Sequence, residues 1–584
     1  MSTIDWIVLI VTLVGIILYG LYKSKAEKNL ENYFLLNRSS SWYLILFSII
    51  GTQASAVTFL TAPGQAYTDG MRFVQYYFGL PLAMVVLCIT FVPVFHKLKL
   101  FTAYEFLEKR FDGKTRAFTS LMFLFQRGIS TGISISAPSI ILSSLLGWNI
   151  LWTNVLMGGL LIIYTFTGGA KAVAYTQQIQ IIIIFAGMLT VGYMVVHLLP
   201  GNLGLSDALH IGGKAGKLNV ITSGRNENGF QWNDRYNIWS GIIGGFFLAL
   251  SYFGTDQSQV GRYLTAKSTR ESRLSLLLNG LVKIPMQFGI LLLGVLVFSF
   301  YQFAREPLFF NQTQLDLLAK TKYADSLQII LKEYDALQNQ KVAQMDPTLE
   351  TQVENRMRQG LTMQYAQKKQ FELRTTIKRW LNDKDVKGDA NDTNYIFLRF
   401  VIDNLPKGLI GLLIAVIFLS AWGSIAASLN SLSSATMNDL HKRWIKKPMS
   451  QEMEFHYSQL YTLLWGIFCV VIAQLLYNIG NSLIEAVNVL GSLFYGVTLG
   501  IFLVAFYFRK IGATAVFISA VIVEIFILST PYLNQAGIIN ISFLWLNGIG
   551  ALGVILLSLA LQSFMPGEYI QGTVANQDNA SDFT

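Results

Sequence analysis

Long apolar stretches alternate with short polar connections along almost the whole chain. Several of these stretches reach the ~20 consecutive apolar residues that a helix needs to cross a bilayer. The pattern therefore predicts an all-α integral membrane protein with about thirteen transmembrane helices. The predicted spans, numbered first to thirteenth, are 4–22, 42–62, 73–95, 117–146, 149–167, 177–199, 237–254, 275–303, 407–436, 457–478, 483–508, 511–531 and 541–562.

Two of the predicted spans carry polar residues at positions that would lie at the depth of the lipid tails. Residues 51–58, GTQASAVT, interrupt the second span, and the seventh span runs directly into residues 254–257, GTDQ. Polar side chains and irregular backbone are tolerated at that depth only where they face protein or a wet cavity. One interrupted helix in each half of the chain indicates the central binding site of a secondary transporter.

The composition agrees with a membrane protein and argues against several other classes. Of 584 residues, 53% are hydrophobic and 13% are charged, whereas soluble domains carry roughly 25% charged residues. Cys88 and Cys469 both fall inside predicted spans, where small core residues are expected. The sequence contains neither a Cys/His cluster typical of a metal site nor a GxxxxGK[ST] phosphate loop. We therefore expect no enzyme, no organic cofactor and no ATP-driven pump.

The net charge of +10 is distributed in a way that favours a lipid bilayer over nucleic acid as the partner. Clusters of Lys and Arg follow the first, third, seventh, ninth and eleventh spans. Such clusters lie on the cytoplasmic side of membrane proteins. The sequence therefore predicts an external N-terminus and a cytoplasmic C-terminus, in the plasma membrane or, in a bacterium, the inner membrane.

Six segments together resemble the sodium/solute symporter family, which includes sugar, iodide, monocarboxylate and multivitamin carriers. They are SAVTFLTAPGQAY (55–67), VFHKLKLFTAYEFLEKRF (94–111), TGISISAPSIILSSLLGW (131–148), TFTGGAKAVAYTQQIQ (165–180), YFGTDQSQVGRYLTAK (252–267) and SLNSLSSATMNDL (428–440). The resemblance implies a LeuT-like fold, in which two inverted five-helix repeats surround a central site.

The implied fold divides the chain into six parts. These are an extra N-terminal helix with a cytoplasmic loop (1–41), a first inverted repeat (42–199), an extracellular loop (200–236), a second inverted repeat (237–510), two C-terminal helices (511–562) and a cytoplasmic tail (563–584). The second repeat contains an extracellular insertion, 304–394, with helical spacing of its apolar residues. The insertion is expected to be a solvated cap, or else a lid or a docking element for a partner.

The same resemblance implies a sodium site between the second and ninth spans. An unwound helix supplies free carbonyl groups, and a facing helix supplies hydroxyl groups. The residues implied are Gly51, Ala54, Ser420, Gly423 and Ser424. Relatives usually have two hydroxyl residues at the last pair, so here a backbone carbonyl or a water must replace the one that Gly423 lacks.

A second departure concerns the number of sodium ions. Some relatives carry an Asp in the sixth span that helps to bind a second sodium, and this chain has Gln177 there. A neutral amide cannot supply a carboxylate ligand, so we expect one coupled sodium or a second site built differently.

The solute site is implied by resemblance to the sugar carriers. On the broken helices it points to Gln53, Ser55, Thr58 and Tyr252, with Tyr252 and Phe253 as a gate. Gln75 and Tyr77 occupy the neighbourhood of an acidic residue that sugar carriers place on the third span. Lys283 and Glu485 fall near sugar-binding positions.

Charged residues at membrane depth are candidates for function because burying them without a partner is costly. Lys283 and Glu485 either pair with each other or both face the cavity. Arg127 either extends toward the cytoplasm or neutralises a carboxylate. If both Lys283 and Glu485 face the cavity, a neutral sugar or polyol could bridge them, whereas a monoanion would meet Glu485 unfavourably.

The sequence thus predicts a sodium-coupled symporter that imports a small polar solute by alternating access, with a sugar or polyol preferred. The alternatives are a sodium-coupled carrier of a monocarboxylate, vitamin or other small anion, and a sensor built on the transporter scaffold.

Overall fold

Helices make up most of the protein. The computed structural model describes residues 1–23, 30–201, 203–227, 229–344, 368–386, 388–445, 449–476 and 483–565. Within these ranges the strands are Arg225–Asn226 and Gly229–Phe230, which pair antiparallel. Most of the predicted cytoplasmic tail, 563–584, lies outside the described residues.

The first six predicted spans correspond to helices at Thr3–Lys23, Trp42–Gln53 with Ala56–Asp69, Leu80–Ile89 with Phe91–Lys97, Gly113–Leu146, and Ile150–His197. The last of these is one helical run that contains two apolar segments, Ile150–Ile163 and Lys171–His197, which correspond to the fifth and sixth spans. Shorter helices connect them, at Leu30–Leu35, Leu36–Arg38 (3₁₀), Gly70–Tyr77 (3₁₀), Tyr104–Arg110 and Leu205–Lys214.

The remaining spans correspond to helices at Ser240–Gly244 (π) with Gly245–Gly254, Thr269–Phe303, Leu409–Ala435, Gln451–Leu476, Leu483–Ser492 with Tyr495–Tyr507, Ala513–Gln535, and Phe543–Phe564. Gln257–Tyr263 follows the break in the seventh span, and the ninth span continues through Thr436–His441 (π) and Lys442–Trp444. The insertion contains Gln312–Leu318, Ala324–Gln344, 368–381 and Thr393–Tyr395 (3₁₀), and Ile396–Asn404 follows it.

The predicted number of spans agrees with the helices that the structure describes. In the described part of the chain, ten helices are long and apolar enough to cross a membrane, and three apolar helices are shorter. The shorter ones are Trp42–Gln53, Ile150–Ile163 and Ser240–Gly254. Two of these three belong to the interrupted spans, because a helix that breaks at mid-membrane needs only half of the ~20 residues.

The ninth span lies at the centre of the helix bundle. In the most apolar 18-residue segment of the ninth span, 89% of the residues are buried by protein. The corresponding value is 22% in the first span and 22% in the tenth. Residues facing lipid have no need of protein neighbours, so the first and tenth spans are peripheral. The central helix is the one that carries Ser420, Gly423 and Ser424.

The first span is attached to the ninth by a buried carboxylate. Asp5 Oδ1 accepts hydrogen bonds from the backbone N–H groups of Gly408 at 2.5 Å and Gly411 at 3.3 Å. These N–H groups are at the start of the helix Leu409–Ala435, where a negative charge is favourable. Ser2 donates to the other oxygen of Asp5 at 2.7 Å from both its N–H and its hydroxyl.

The insertion has a hydrophobic core of its own, separate from that of the bundle. It includes Phe309, Leu318, Leu327, Ile377 and Leu381, all nearly fully buried. Glu306 connects this core to the outer half of the second span: it binds Arg374 at 2.8 Å and accepts a hydrogen bond from the Tyr67 hydroxyl. The insertion is therefore a small folded unit docked against the helix Ala56–Asp69.

Candidate functional site

The second span breaks at Ala54 and Ser55, inside the polar segment. Ala54 has φ −84° and ψ 66°, and Ser55 has φ −76° and ψ 172°, so neither continues the helix. The carbonyl of Ala54 instead accepts a hydrogen bond from the Ser420 hydroxyl at 2.6 Å. The break thus turns a backbone oxygen toward the central ninth span, where a cation could use it.

The residues expected to bind sodium lie at this contact. The Ser424 hydroxyl donates to the carbonyls of Ser420 and Ala421, both at 3.1 Å, which leaves its oxygen lone pairs free to coordinate a cation. The structure thus brings Ala54, Ser420 and Ser424 to one helix contact.

The side chain of Gln177 fills the space beside them. Its amide nitrogen donates to the Thr52 hydroxyl and to the Gly423 carbonyl, both at 3.2 Å, and its oxygen accepts from the Ser48 hydroxyl at 2.9 Å. A Cβ at Gly51 would lie 3.0 Å from Gln177 Cβ. The neutral amide thus joins the second, sixth and ninth spans.

The seventh span breaks at Thr255 and Asp256. The carbonyl of Thr255 accepts a hydrogen bond from the Tyr104 hydroxyl at 2.9 Å. Asp256 has φ −79° and ψ 116° and caps the following helix Gln257–Tyr263 through Ser258, whose N–H donates to Oδ1 at 2.9 Å. Both interruptions predicted from polar segments are therefore present in the fold.

A cavity of about 130 Å³ lies between the two breaks. Its lining includes seven residues predicted from the sequence for the solute site or its gate: Gln53, Ser55, Thr58, Tyr77, Tyr252, Phe253 and Lys283. Ser424 also lines it, so the expected sodium ligand meets the solute cavity directly.

The buried cation Arg127 lines the cavity and is bound to Asp256. The Tyr495 hydroxyl donates to Asp256 Oδ2 at 2.9 Å and lies 2.8 Å from the guanidinium. The carboxylate is completely buried. Arg127 is therefore neutralised within the membrane by a residue at the second break.

Lys283 is the other cation of the cavity lining, and it has no such partner. The side chain is 1% exposed, and its ammonium has no hydrogen-bond partner among the described residues. It lies 5.2 Å from the centre of the Tyr77 ring, a weak cation–π contact. The predicted alternative that Lys283 pairs with Glu485 is wrong.

Glu485 is directed away from the cavity. Its carboxylate forms an ion pair with Arg235, which belongs to the loop 200–236, and it is not among the lining residues. The reason is its place in the first turn of the helix Leu483–Ser492, at the end that the loop reaches. The structure therefore does not bring Glu485 to the cavity, contrary to the predicted placement.

Gln75 is also placed differently from the prediction. Its side-chain amide nitrogen donates to Thr222 Oγ1 and the Tyr236 carbonyl, both at 3.1 Å, and its oxygen accepts from the Thr222 N–H at 3.1 Å. These bonds fasten the loop 200–236 to the bundle. Gln75 is completely buried and does not line the cavity.

Functional groups that were not identified from the sequence include Asp256, as the partner of Arg127, and two residues of the cavity lining, Tyr495 and Asn488. A carboxylate inside the polar segment at 254–257 was a usable signal for Asp256. Tyr495 and Asn488 are a tyrosine and an asparagine within a mostly apolar run, a pattern that equally fits a packed helix.

Two broken helices that meet at a central cavity, in a bundle of about thirteen spans, define a secondary transporter of the LeuT-like fold. The profile of the sodium:solute symporter family matches residues 33–314 and 379–522. The chain belongs to this family of sodium-coupled transporters, which confirms the resemblance read from its motifs.

Individual relatives cover most of the chain. It is 25% identical over 557 residues to the sodium/sialic acid symporter SiaT of Proteus mirabilis, covering 95% of this chain and 93% of that one. It is 26% identical over 520 residues to the sodium-dependent multivitamin transporter of Oryctolagus cuniculus, covering 87% and 67%. A solved structure of a Na⁺-coupled sialic acid symporter, in a substrate-bound outward-open state, matches with a TM-score of 0.73 at 24% identity, covering 96% and 98%.

Proposed function

We propose that the protein is a sodium-coupled symporter that imports a small organic anion. The observation that carries this proposal is Lys283, a buried ammonium in the cavity lining without a hydrogen-bond partner among the described residues. A buried cation is costly unless something pairs with it. The carboxylate of a solute would supply that pair when it enters.

The charges around the cavity support an anion over a neutral sugar. Arg127 and Lys283 are cations of the lining, and Asp256 neutralises Arg127. One positive charge is left, at Lys283. The expected preference for a sugar depended on Glu485 facing the same cavity, and Glu485 instead pairs with Arg235. Without that carboxylate, a monoanion meets no opposing charge.

The names of several relatives agree with this choice. They describe carriers of sialic acid, iodide and monocarboxylates, and each of these solutes is an anion. The sequence identities to these relatives are 25 to 31%. At that level their names support an anionic solute but do not indicate which anion it is.

In the proposed cycle, sodium binds the carbonyl oxygens of Gly51, Ala54 and Ser420, with the Ser424 hydroxyl and a carbonyl or water near Gly423. The solute enters beside it, and Tyr252 and Phe253 lie beneath the solute as the inner gate. The membrane potential contributes about 2.3 kcal/mol per charge per 100 mV. We place the N-terminus and the insertion 304–394 outside and the C-terminus in the cytoplasm.

The test is uptake into proteoliposomes with an inward sodium gradient. Radiolabelled pyruvate, lactate, glucose and myo-inositol would be compared in sodium and in choline buffer. We expect sodium-dependent uptake of an acid, and Lys283→Met should raise its KM about 10- to 100-fold because a charge-assisted contact is worth ~1.5–3 kcal/mol.

Two control variants accompany this experiment. Lys283→Arg keeps the charge and should retain part of the affinity, while Lys214→Met alters an exposed lysine of the outer loop and should change nothing. Uptake of a neutral sugar that is insensitive to Lys283→Met would refute the anion, and equal uptake in choline would refute sodium coupling.

A further inference from the structure

Aromatic rings form a large part of the cavity wall. Tyr76, Tyr77, Tyr252, Phe253 and Tyr495 all line it. Tyr76 and Tyr77 pack edge to face with centroids 4.8 Å apart, and Tyr252 and Phe253 do so at 5.1 Å. In such a pair one ring keeps both faces uncovered by its partner. The Arg127 guanidinium lies 5.5 Å from the centre of the Tyr252 ring, so a solute ring would stack on the opposite face.

Most hydroxyl groups of the cavity lining already donate hydrogen bonds to acceptors within the protein. Thr58 donates to the Gln53 carbonyl at 3.3 Å, and Thr131 donates to the Arg127 carbonyl at 2.6 Å. The same holds for Ser134, Ser424 and Ser428, which donate to carbonyls of their own helices.

Three further donors of the lining are engaged in the same way. Gln53 donates to Asn279, Tyr76 donates to Asn488 and Tyr495 donates to Asp256, at 3.1, 3.1 and 2.9 Å. Tyr252 differs, because its hydroxyl accepts from Gln259 at 2.7 Å. A polyhydroxylated solute needs many donors for its oxygen atoms, and most of the lining donors are already used.

Two fully buried donors of the lining, Lys283 Nζ and Asn488 Nδ2, have no hydrogen-bond partner among the described residues. A carboxylate only accepts hydrogen bonds, so these two donors suit one such group. Lys283 Nζ lies 5.2 Å from the centre of the Tyr77 ring. A carboxylate bound to Lys283 would therefore lie beside the aromatic wall.

We infer that the solute is a planar aromatic carboxylate, whose carboxylate binds Lys283 and Asn488 and whose ring stacks on Tyr77 and Tyr252. This inference rests on the proposed anion function and narrows it. Tyr77 and Tyr252 favour a flat π-system over a saturated ring of the same size. Stacking of one aromatic ring on another should lower the Kd about threefold to tenfold.

The test separates charge from aromaticity with four matched compounds: benzoate, cyclohexanecarboxylate, benzamide and cyclohexanecarboxamide. Each Kd would be measured by calorimetric titration of the purified full-length protein in sodium buffer, with gluconate as a polyhydroxylated acid. We expect benzoate to bind at least fivefold tighter than cyclohexanecarboxylate, and both amides and gluconate to bind more weakly than benzoate.

The outcomes distinguish failure of the inference from failure of the proposed function. If the two carboxylates bind equally and the amides do not bind, the solute is an anion but the aromatic inference is overturned. If gluconate binds tightest, the aromatic inference is likewise overturned. If the amides bind as tightly as the acids, the anion function itself fails.

Variants give a second measurement on the same protein. Tyr77→Leu and Tyr252→Leu should reduce the benzoate-to-cyclohexanecarboxylate ratio toward one, whereas Lys283→Met should weaken both carboxylates by a similar factor. Tyr532→Leu, at an exposed position near the end of the helix Ala513–Gln535, is the control and should leave the ratio unchanged. A ratio that survives both tyrosine variants would overturn the assignment of the ring to Tyr77 and Tyr252.

Discussion

The amide nitrogen of Gln177 donates a hydrogen bond to the carbonyl oxygen of Gly423 at 3.2 Å. The two departures from the family pattern are therefore neighbours in space. A Cβ at Gly423 would lie 2.8 Å from Gln180 Oε1 and 3.2 Å from Gln177 Cγ. A side chain at 423 would therefore need Gln180 and Gln177 to move, because they occupy the space beside this glycine.

This relationship predicts that the two positions must change together. Gly423→Ser alone should impair sodium-driven uptake, since its side chain collides with the glutamines. Gln177→Asp removes the amide nitrogen that lies 3.4 Å from a Cβ at Gly423 and supplies a carboxylate ligand. We therefore expect Gln177→Asp/Gly423→Ser to recover uptake and to raise the sodium Hill coefficient from near one toward two. The measurement is initial uptake against sodium concentration. A wild-type coefficient near two would contradict the expectation of one sodium ion.

Ser424→Ala should raise the sodium concentration that gives half-maximal uptake. The variant removes a hydroxyl at the contact between the first break and the ninth span, while solute contacts at Lys283 remain. We expect a several-fold increase in the sodium requirement with little change in the ranking of competing solutes. Ser431→Ala, on the same helix but outside the cavity lining, is the control. An unchanged sodium dependence would remove Ser424 from the proposed site.

The Arg127–Asp256 pair should be critical for stability when only one partner is removed. Asp256→Asn leaves a buried guanidinium without a counter-charge, which typically costs 3–5 kcal/mol. We expect a lower Tm in detergent for Asp256→Asn, and partial recovery in Arg127→Met/Asp256→Asn. The double variant removes both charges and avoids the unpaired cation. Equal Tm values for the two variants would argue against a strong coupling between these residues.

Glu485→Gln tests the corrected position of this residue. Because Glu485 pairs with Arg235 outside the cavity, the variant should leave the KM for the solute unchanged. It should loosen the loop 200–236, seen as faster amide exchange around Arg235. Arg235→Gln should have the same effect on exchange. A tenfold change in KM for Glu485→Gln would return the residue to the solute site.

The insertion should become less stable as the pH rises from about 4 to about 6. Burial raises the pKa of Asp392 to about 6, and likewise that of Asp389 to about 6. The folded insertion then binds more protons than the unfolded chain, whose aspartates have a pKa of about 3.9. The contribution of these two protonated carboxyl groups to the stability of the insertion is therefore complete below pH 4. It is lost as the pH rises through 6, and the stability does not change further above that.

The loss in the free energy of unfolding of the insertion should amount to about 1–3 kcal/mol for each of the two aspartates. Amide exchange of the helix Ala324–Gln344, within the insertion, would measure this change at pH 5 and pH 7.5 after correction for the intrinsic pH dependence of exchange. Asp392→Asn keeps an oxygen for the N–H groups of Phe310 and Asn311, which Asp392 binds at 2.7 and 3.0 Å. This variant should remove much of the pH effect. Identical protection of the wild type at both values would contradict the shift.

The membrane spans and their breaks could be predicted from the sequence because each depends on residues within the same short segment. A span is predicted by its own apolar residues, and a break is predicted by its own polar residues, so the interruptions at Ala54 and Asp256 could both be anticipated. The alignment of motifs was equally sufficient for the family, because several segments occurred in order.

The errors concern the directions of side chains. Gln75 and Glu485 were assigned to the solute site by their positions in the chain. Both side chains instead contact the loop 200–236, where Thr222 and Arg235 are their partners. Those partners lie far away in the chain, and their approach depends on the packing of whole helices. Lys283 could be found because a lysine in the middle of an apolar span is costly to bury and therefore indicates a functional role.

The carboxylate of Asp5 makes the N-terminus a poor place for an attachment. It lies four positions after Met1 and caps the helix that carries Ser420 and Ser424. The N–H and hydroxyl of Ser2 hold the same carboxylate. A fluorescent protein or affinity tag fused ahead of Met1 would pull on this turn, so weakened sodium affinity in such a fusion would report strain from the tag.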